Sequence, residues 1–181
     1  MLFRKLSPTE CEVLYTIWSL QRKTGLDEKS EVTAEVLGAK LDKTPAYIRK
    51  VISQIRAIGD NYIVTNSCFP SGKHRGRPHA SYHLNSEDVI TLTDTAFMLM
   101  QLVEFPPSRP NLIERSQFLD HLVNKLGMDR ALACDPMEVA TNVGYVHEYK
   151  SGFIFYTDRV LYEQGYILKL AKIFITQQIQ H

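Results

Sequence analysis

The segment between residues 33 and 58 constrains the fold most, because it predicts two helices joined by a very short turn. Apolar residues recur at helical spacing on both sides of a polar turn at Asp42-Lys43. Each side begins with a threonine, a residue that caps helix N-termini, and Pro45 suits the first turn of the second helix. The small Ala34, with Gly38 and Ala39 nearby, allows the two helices to approach closely, so we predict a helix-turn-helix. The inward positions are Ala34, Leu37, Leu41, Ile48, Val51, Ile52, Ile55 and Ile58.

The elements on either side complete a three-helix unit with a β-hairpin. Ser7-Pro8-Thr9-Glu10 is a helix start with a capping box, and Gly25 ends that helix. Glu31-Val32 is compatible with one short strand, and Gly59 is expected to stop the third helix. Residues 62–65 and 81–84 are rich in β-formers and bracket a loop full of turn residues.

The loop between the two predicted strands is basic and rich in glycine. It reads Gly72-Lys73-His74-Arg75-Gly76-Arg77-Pro78. Glycines let the backbone approach a phosphate surface, and Pro78 stiffens the exit from the loop. Arg75 or Arg77 can enter a narrow minor groove, where the negative potential is enhanced. Lys73 and His74 can donate to phosphates, so the loop predicts a wing that contacts DNA.

This arrangement resembles the bacterial and archaeal winged-helix regulators of the MarR and PadR type. In many of them Gly-Arg-Pro leads, after a few residues, to a returning strand of the form Tyr-x-Leu, as Gly76-Arg77-Pro78 leads to Tyr82-His83-Leu84 here. The opening is also similar to the start of penicillinase-repressor relatives, at Leu6, Ser7, Glu10, Val13, Leu14, Ile17 and Trp18. The resemblance covers roughly residues 6–85 and implies a winged helix-turn-helix that binds DNA.

The net charge of +1 conceals an uneven distribution of charged residues. Residues 1–85 carry thirteen Lys or Arg against eight Asp or Glu, whereas residues 86–181 carry eight against twelve. Between residues 44 and 85 there are six basic residues and one acidic residue. This local excess favours a polyanionic partner for the first half, with a solvated basic face as the alternative.

The residues predicted to contact DNA fall into two groups. On the third helix, side chains off the apolar stripe are expected to face the major groove, with Arg49 and Lys50 the strongest candidates. This group contains Thr44, Pro45, Tyr47, Arg49, Lys50, Ser53 and Gln54. The second group lies in the wing and contains Lys73, His74, Arg75 and Arg77. The alternative for the helix group is an ordinary solvent-facing surface.

Residues 86–181 predict a helical region that pairs two copies of the chain. We expect helices from about Asp94 to Glu104, from Asn111 to Gly127, from Pro136 onward, and after a break at Ser151-Gly152. The last helix carries an apolar stripe too wide to leave in water: Val160, Leu161, Ile167, Leu168, Ala171, Phe174 and Ile175. Aromatic residues between 145 and 174 are interpreted as a core and dimer seam, with a pocket for an apolar effector as the alternative.

The sequence lacks the common motifs of catalytic, cofactor and metal sites. The chain contains no G-x-S-x-G, no phosphate-binding glycine loop ahead of Lys-Ser/Thr and no H-E-x-x-H. We therefore predict no enzymatic activity, no catalytic residue and no cofactor. Cys68, His74, His79 and His83 cluster near the wing, but their spacing matches no familiar zinc pattern, so no metal site is predicted.

Cysteine usage and hydropathy favour a cytoplasmic protein. The three cysteines are widely spaced and odd in number, which argues against a disulfide framework and fits a reducing compartment. The longest apolar runs fall well short of the ~20 residues that span a bilayer. The first residues lack the apolar core of a signal peptide. No membrane partner is expected.

Together these patterns predict a mainly α-helical chain with a small β wing. Residues 1–85 would form a winged helix-turn-helix DNA-binding domain, and residues 86–181 a helical dimerisation region. The predicted function is sequence-specific regulation of transcription by a homodimer on double-stranded DNA. Two alternatives stay open: a winged helix used for protein assembly, and a plasmid or phage replication or partition protein that binds repeated DNA sites.

Overall fold

The structure, a computed structural model, describes residues 6–23, 31–58, 61–68, 78–85 and 87–179. Most of this part of the chain is helical, and its strands form a two-stranded and a three-stranded antiparallel sheet. The chain divides into two units, Leu2–Val89 and Ile90–His181. The prediction of a mainly helical chain with a small β-hairpin is confirmed, whereas the three-stranded sheet was not predicted.

The described part of the first unit runs from helices to a hairpin. In order, its elements are α1 (Pro8–Lys23), α2 (Ala34–Leu41), α3 (Pro45–Ala57), β1 (Ile63–Cys68) and β2 (His79–Leu84). A capping box starts α1, as predicted: the Ser7 backbone N–H donates to Glu10 Oε2 (2.6 Å), and the Glu10 N–H donates to Ser7 Oγ (3.3 Å). The predicted helix ends at Gly25 and Gly59 lie outside the described residues.

The helices of the first unit share an aliphatic core. α1 contacts α2, α3 and β2. Side chains from each helix are fully buried there, among them Leu14, Ile17, Leu37, Ile48 and Ile55. Burying one such side chain contributes about 1.5–3 kcal/mol. This core holds one face of α3 against the other helices and leaves its opposite face outward.

The hairpin is joined to the segment that precedes α2. β1 and β2 pair antiparallel from Ile63 opposite Leu84 to Cys68 opposite His79. Thr33 forms an isolated bridge with Ser81, and the Tyr82 N–H donates to the Val32 carbonyl (2.9 Å). The short strand predicted at Glu31-Val32 is therefore a bridge centred one residue later.

The second unit mixes helices with short strands. Its elements are α4 (Asp88–Glu104), β3 (Ile113–Glu114), α5 (Arg115–Asn124), α6 (Arg130–Val143), β4 (Val146–Glu148), β5 (Phe153–Tyr156), α7 (Asp158–Tyr162) and α8 (Gln164–Ile179). α4 begins well before the predicted Asp94, and the boundary between the two units falls inside it. No helix in the described ranges is both long and apolar enough to cross a bilayer.

The region 86–181, predicted as helical, also contains a sheet of three strands in the order β3–β5–β4. Both pairs are antiparallel, with Ile113 opposite Ile154 and Val146 opposite Tyr156. The predicted break at Ser151-Gly152 closes the β4–β5 hairpin, with Gly152 at φ 80°. Aromatic and β-branched residues on both sides of a Ser-Gly turn are a hairpin signal, and this signal was missed.

Two predicted helix starts in the second unit are also wrong. Asn111 does not cap a helix; it lies in a turn at φ 61°, a conformation that asparagine tolerates better than most residues, and α5 follows Glu114. Pro136 does not open a helix but lies inside α6. Asp129, whose carbonyl accepts from the Ala133 N–H (2.9 Å), marks the true start.

The apolar residues of the last segment divide between two faces. One set is buried within its own unit: Val160, Ile167, Leu170, Ala171 and Ile173. Phe174 packs against Phe97 on α4, with ring centroids 4.8 Å apart. A second set stays exposed at spacings of seven and four residues, namely Leu168, Ile175 and Ile179, which we call the exposed stripe. The predicted wide stripe is therefore part core and part surface.

Helix α4 carries a buried acid. Asp94 is only 6% exposed, and among the described residues its Oδ1 has no hydrogen-bond partner. The neighbouring hydroxyls are engaged elsewhere, since Thr93 donates to the Ile90 carbonyl and Thr95 to the Thr91 carbonyl. Burial raises the pKa of the Asp94 carboxyl to about 7.

Candidate nucleic-acid interface

Helix α3 is fixed at its start by its cap and along one side by the core. Thr44 has extended backbone geometry, and its side chain accepts a hydrogen bond from the Tyr47 N–H (3.2 Å). Pro45 occupies the first turn, where its missing N–H costs nothing. Ile48, Val51, Ile52 and Ile55 are buried. The cap, the proline and the apolar spacing are all as predicted.

The outer face of α3 brings together the predicted helix group. Thr44, Tyr47, Arg49, Lys50, Ser53 and Gln54 are exposed, and Pro45 is half-buried. Arg56 is exposed on the same helix and was not among the predicted residues. Its position seven residues after Arg49 places both on one side of the helix, a signal available from sequence. α3 thus presents three basic residues and no acidic residue.

The turn before α3 is closed by a tight backbone contact. A Cβ placed on Gly38 would lie 2.5 Å from the Lys43 carbonyl oxygen, closer than side-chain carbons come to other atoms. The Lys43 N–H donates to the Gly38 carbonyl (2.9 Å), and Asp42 adopts a left-handed conformation at φ 53°. Of the three small residues predicted to allow a close approach, Gly38 makes this contact, Ala34 is buried and Ala39 is exposed.

An ion pair links α2 to the outer face of α3. Arg49 Nη2 lies 2.5 Å from Glu35 Oε1, and both side chains are 56% exposed. Glu35 belongs to the first turn of α2, directly after the cap at Thr33. Sequence reasoning missed this pair, because the two residues are fourteen positions apart and only the turn geometry brings them together.

Three side-chain contacts hold strand β2 of the hairpin, one at its start and two at its end. His79 Nε2 lies 2.5 Å from Glu31 Oε2 at the start of β2. At its end, Gln21 Oε1 accepts from the Leu84 N–H (3.2 Å), and Gln21 Nε2 lies 3.0 Å from His83 Nδ1. These contacts tie β2 to neighbouring elements. The predicted wing residues Lys73, His74, Arg75 and Arg77 lie outside the described residues.

Two observations on the described residues concern metal binding and thiol reactivity in the first unit. Within those residues no group of three or more His, Cys, Asp or Glu side chains is arranged to hold a metal ion. Cys11 is buried, and burial, with a smaller effect of Glu10, raises the pKa of its thiol to about 12. That thiol is protonated near neutral pH and is a poor nucleophile.

The aromatic residues of the second unit line a cleft as well as a core. Tyr145 is buried beneath the Arg159 guanidinium, 4.4 Å from its ring centroid, and its hydroxyl donates to Glu163. A cleft of about 650 Å³ has Phe105, Ile113, His147, Phe155, Tyr156 and Leu161 among its walls. Its volume lies within the range of small-molecule sites. The effector-pocket alternative thus has a space of suitable size.

The chain matches no protein-family model, no curated protein and no solved structure. Three features of the first unit define the candidate interface. They are the outer face of α3, which carries no acidic residue, the packing of α2 against α3, and the hairpin that follows α3. The resemblance to winged-helix regulators stays a prediction supported by this order of elements.

Proposed function

We propose that the first unit is a winged helix-turn-helix that binds double-stranded DNA, and that the protein is a dimeric, cytoplasmic transcription regulator. The observation that carries the proposal is the division of α3 into two faces. One face is buried in the core, and the other presents Arg49, Lys50 and Arg56 with no acidic residue on the helix. A surface of this charge is suited to phosphate and base contacts.

The dimensions of α3 suit the major groove. Thirteen residues at ~1.5 Å per residue give a helix about 20 Å long. A groove roughly 12 Å wide admits one α-helix, with the residues near its N-terminus facing the bases. Tyr47, Arg49 and Lys50 occupy that part of α3 and are exposed. The short helix α2, in contact through Gly38, would brace α3 from behind.

The hairpin supports the same proposal. β1 and β2 follow α3 directly, and the bridge at Thr33 joins them to the segment before α2. Helix, bridge, helix, helix and hairpin is the element order of a winged helix. The loop that β1 and β2 flank contains the four predicted basic wing residues. In this proposal the wing contacts the minor groove or backbone beside the site of α3.

We propose that the exposed stripe pairs with the same stripe on a second copy. Leu168, Ile175 and Ile179 recur at the spacing of an apolar helix seam. A stripe that meets its own copy across a twofold axis is complementary to itself. A single small DNA-binding module buries little surface, and two linked modules gain effective concentration. A dimer would bind a roughly palindromic site.

The salt dependence of DNA binding tests the proposal. For the dimer, the slope of log affinity against log salt should have a magnitude of roughly 4 to 10, because several phosphate contacts release counterions. Lys50→Ala should reduce this magnitude by about 1 for each contact removed. Lys150→Ala is the matched control, since Lys150 is exposed in the β4–β5 turn, and it should leave the slope unchanged.

Other results would favour the alternative functions. A slope near zero, or no DNA binding at low salt, would refute the DNA assignment in favour of a protein-assembly module. Footprinting upstream of the protein's own gene distinguishes the two DNA-binding alternatives. One protected palindrome supports a regulator, and a series of protected repeats supports a replication or partition protein.

A further inference from the structure

The ion pair between Arg49 and Glu35 has a consequence for how DNA would be read. Glu35 places a carboxylate beside the outer face of α3, which otherwise carries only basic charge. Near phosphates, a negative charge weakens binding to every DNA sequence. An exposed ion pair itself contributes little to stability, typically ~0–1 kcal/mol. In a DNA complex, Glu35 would therefore weaken affinity for all sequences, with little gain in folding stability.

The position of Glu35 is set by the backbone rather than by a flexible loop. Thr33 caps α2, accepting from the Val36 N–H (3.4 Å), and its carbonyl accepts from the Leu37 N–H (3.0 Å). Three residues after Glu35, the contact of Gly38 with the Lys43 carbonyl fixes α2 against the turn into α3. The carboxylate is thus presented to Arg49 from a braced helix.

The pair leaves most of the Arg49 guanidinium available. Glu35 Oε1 engages Nη2, and an arginine has five N–H donors in a planar fork. Guanine offers two acceptors, N7 and O6, to such a fork in the major groove. Holding the side chain in advance removes part of the entropy that ordering it on DNA would cost. Among the described residues, Lys50 and Arg56 have no carboxylate partner.

We infer that Glu35 is a specificity-determining residue, which positions Arg49 to read a guanine and lowers affinity for DNA without that guanine. The inference rests on the proposed DNA-binding function. Glu35 acts through Arg49, so it is a positioning residue, and both its effects are measurable separately. Removing its charge should strengthen binding to arbitrary DNA while weakening discrimination between sites.

The experiment uses the full chain and a duplex recovered from a random-sequence library. The Arg49→Ala variant first identifies the guanine in this duplex for which preference is lost. Three duplexes are then compared: the recovered duplex, the same duplex with adenine in place of that guanine, and a duplex of random sequence. Glu35→Gln should raise affinity for the random duplex and lower discrimination between the first two by about threefold or more. Glu87→Gln, a substitution of another exposed acid in the first unit, controls for net charge and should leave discrimination unchanged.

The double variant decides whether the effect passes through Arg49. In the Arg49→Ala background, Glu35→Gln should cause no further loss of discrimination. An equal loss in both backgrounds would mean that Glu35 contacts a base itself, and would overturn the inference. Unchanged discrimination in Glu35→Gln would overturn it too, while leaving the proposed function intact. If the wild-type chain bound no duplex, the proposed function would be refuted. The role of Arg49 in reading a guanine would then be refuted as well.

Discussion

Asp94 is a buried acid whose pKa lies well above its ordinary value. Its carboxyl is buried on α4, and among the described residues Oδ1 has no partner. Burial disfavours the ionised form, and the pKa rises from 3.8 to about 7. The folded protein therefore holds a proton on Asp94 over a pH range in which the unfolded chain has lost it.

Stability should fall as pH rises through this range. Between about pH 4 and pH 7 the folded state binds more protons at Asp94 than the unfolded state does, so the free energy of unfolding decreases with pH. At ~1.4 kcal/mol per pKa unit, the total effect is up to about 4 kcal/mol. Asp94→Asn removes this pH dependence. The stability of the variant relative to the wild type, measured by thermal unfolding, should therefore increase from pH 4 to pH 7.

The exposed acid Asp120 supplies the control for this experiment. Asp120→Asn also removes a carboxylate from a helix of the second unit, but from an exposed position on α5. The difference in free energy of unfolding between Asp120→Asn and the wild type should stay nearly constant with pH. If Asp94→Asn and Asp120→Asn behaved alike, burial of Asp94 would not govern the pH dependence.

At the scale of elements, the packing of α2 on the turn into α3 depends on Gly38. Alanine is favoured over glycine inside helices by about 1 kcal/mol. At Gly38 the added Cβ would meet the Lys43 carbonyl at 2.5 Å, and overpacking against backbone costs about 1–3 kcal/mol. We expect Gly38→Ala to lower the free energy of unfolding despite its better helix propensity.

Gly165 offers a matched comparison, because it also lies in a helix. A Cβ there would meet nothing within 4 Å. Gly165→Ala should therefore stabilise the protein by up to about 1 kcal/mol in the same denaturation experiment. Two substitutions of identical chemistry should act in opposite directions. Stabilisation by both would show that α2 does not approach the turn as closely as the structure has it.

The elements predicted well are those whose local signals agree with one another. α3 combines a threonine cap, a proline at its start and a continuous apolar stripe, so both its beginning and its buried face were predictable. In α6 the signals conflicted. Pro136 suggested that the helix begins there, whereas the helix begins six residues earlier, after Asp129. β4 and β5 span few residues, and strands that short give a weak periodic signal.

The candidate site shows the same division between local and non-local information. Exposure of Arg49 and Lys50 followed from their positions off the apolar stripe of α3. The partner of Arg49 did not follow, because Glu35 belongs to another helix and no spacing rule joins the two. Side-chain contacts across a turn depend on the angle between helices, which propensity and periodicity do not specify.

For the whole molecule, the exposed stripe on α8 makes association of two copies testable. Leu168 is 39% exposed, and Leu126 after α5 has the same exposure, which makes the two leucines a matched pair. Leu168→Glu should shift the protein from dimer toward monomer in sedimentation, because it places a charge in the proposed seam. Leu126→Glu should leave the dimer intact.

DNA binding should change together with assembly. A monomeric Leu168→Glu variant should keep weak, salt-sensitive binding and lose affinity for a two-half-site duplex by up to about 10²–10⁴-fold. A wild-type chain that sedimented as a monomer at high concentration would refute pairing through the stripe. Equal effects of Leu126→Glu and Leu168→Glu would place the pairing surface elsewhere.

The contact between Gly38 and the Lys43 carbonyl also limits how this chain can diverge in evolution. In the proposed function, side chains that contact DNA can be exchanged as binding sites change, so Arg49 and Ser53 would be free to vary among descendants. A residue with a Cβ at position 38 would push α2 away from the Lys43 carbonyl in every descendant, regardless of the DNA sequence that the descendant bound. Glycine at 38, followed four positions later by a residue that tolerates the left-handed conformation of Asp42, is therefore the pattern by which remote relatives should be sought.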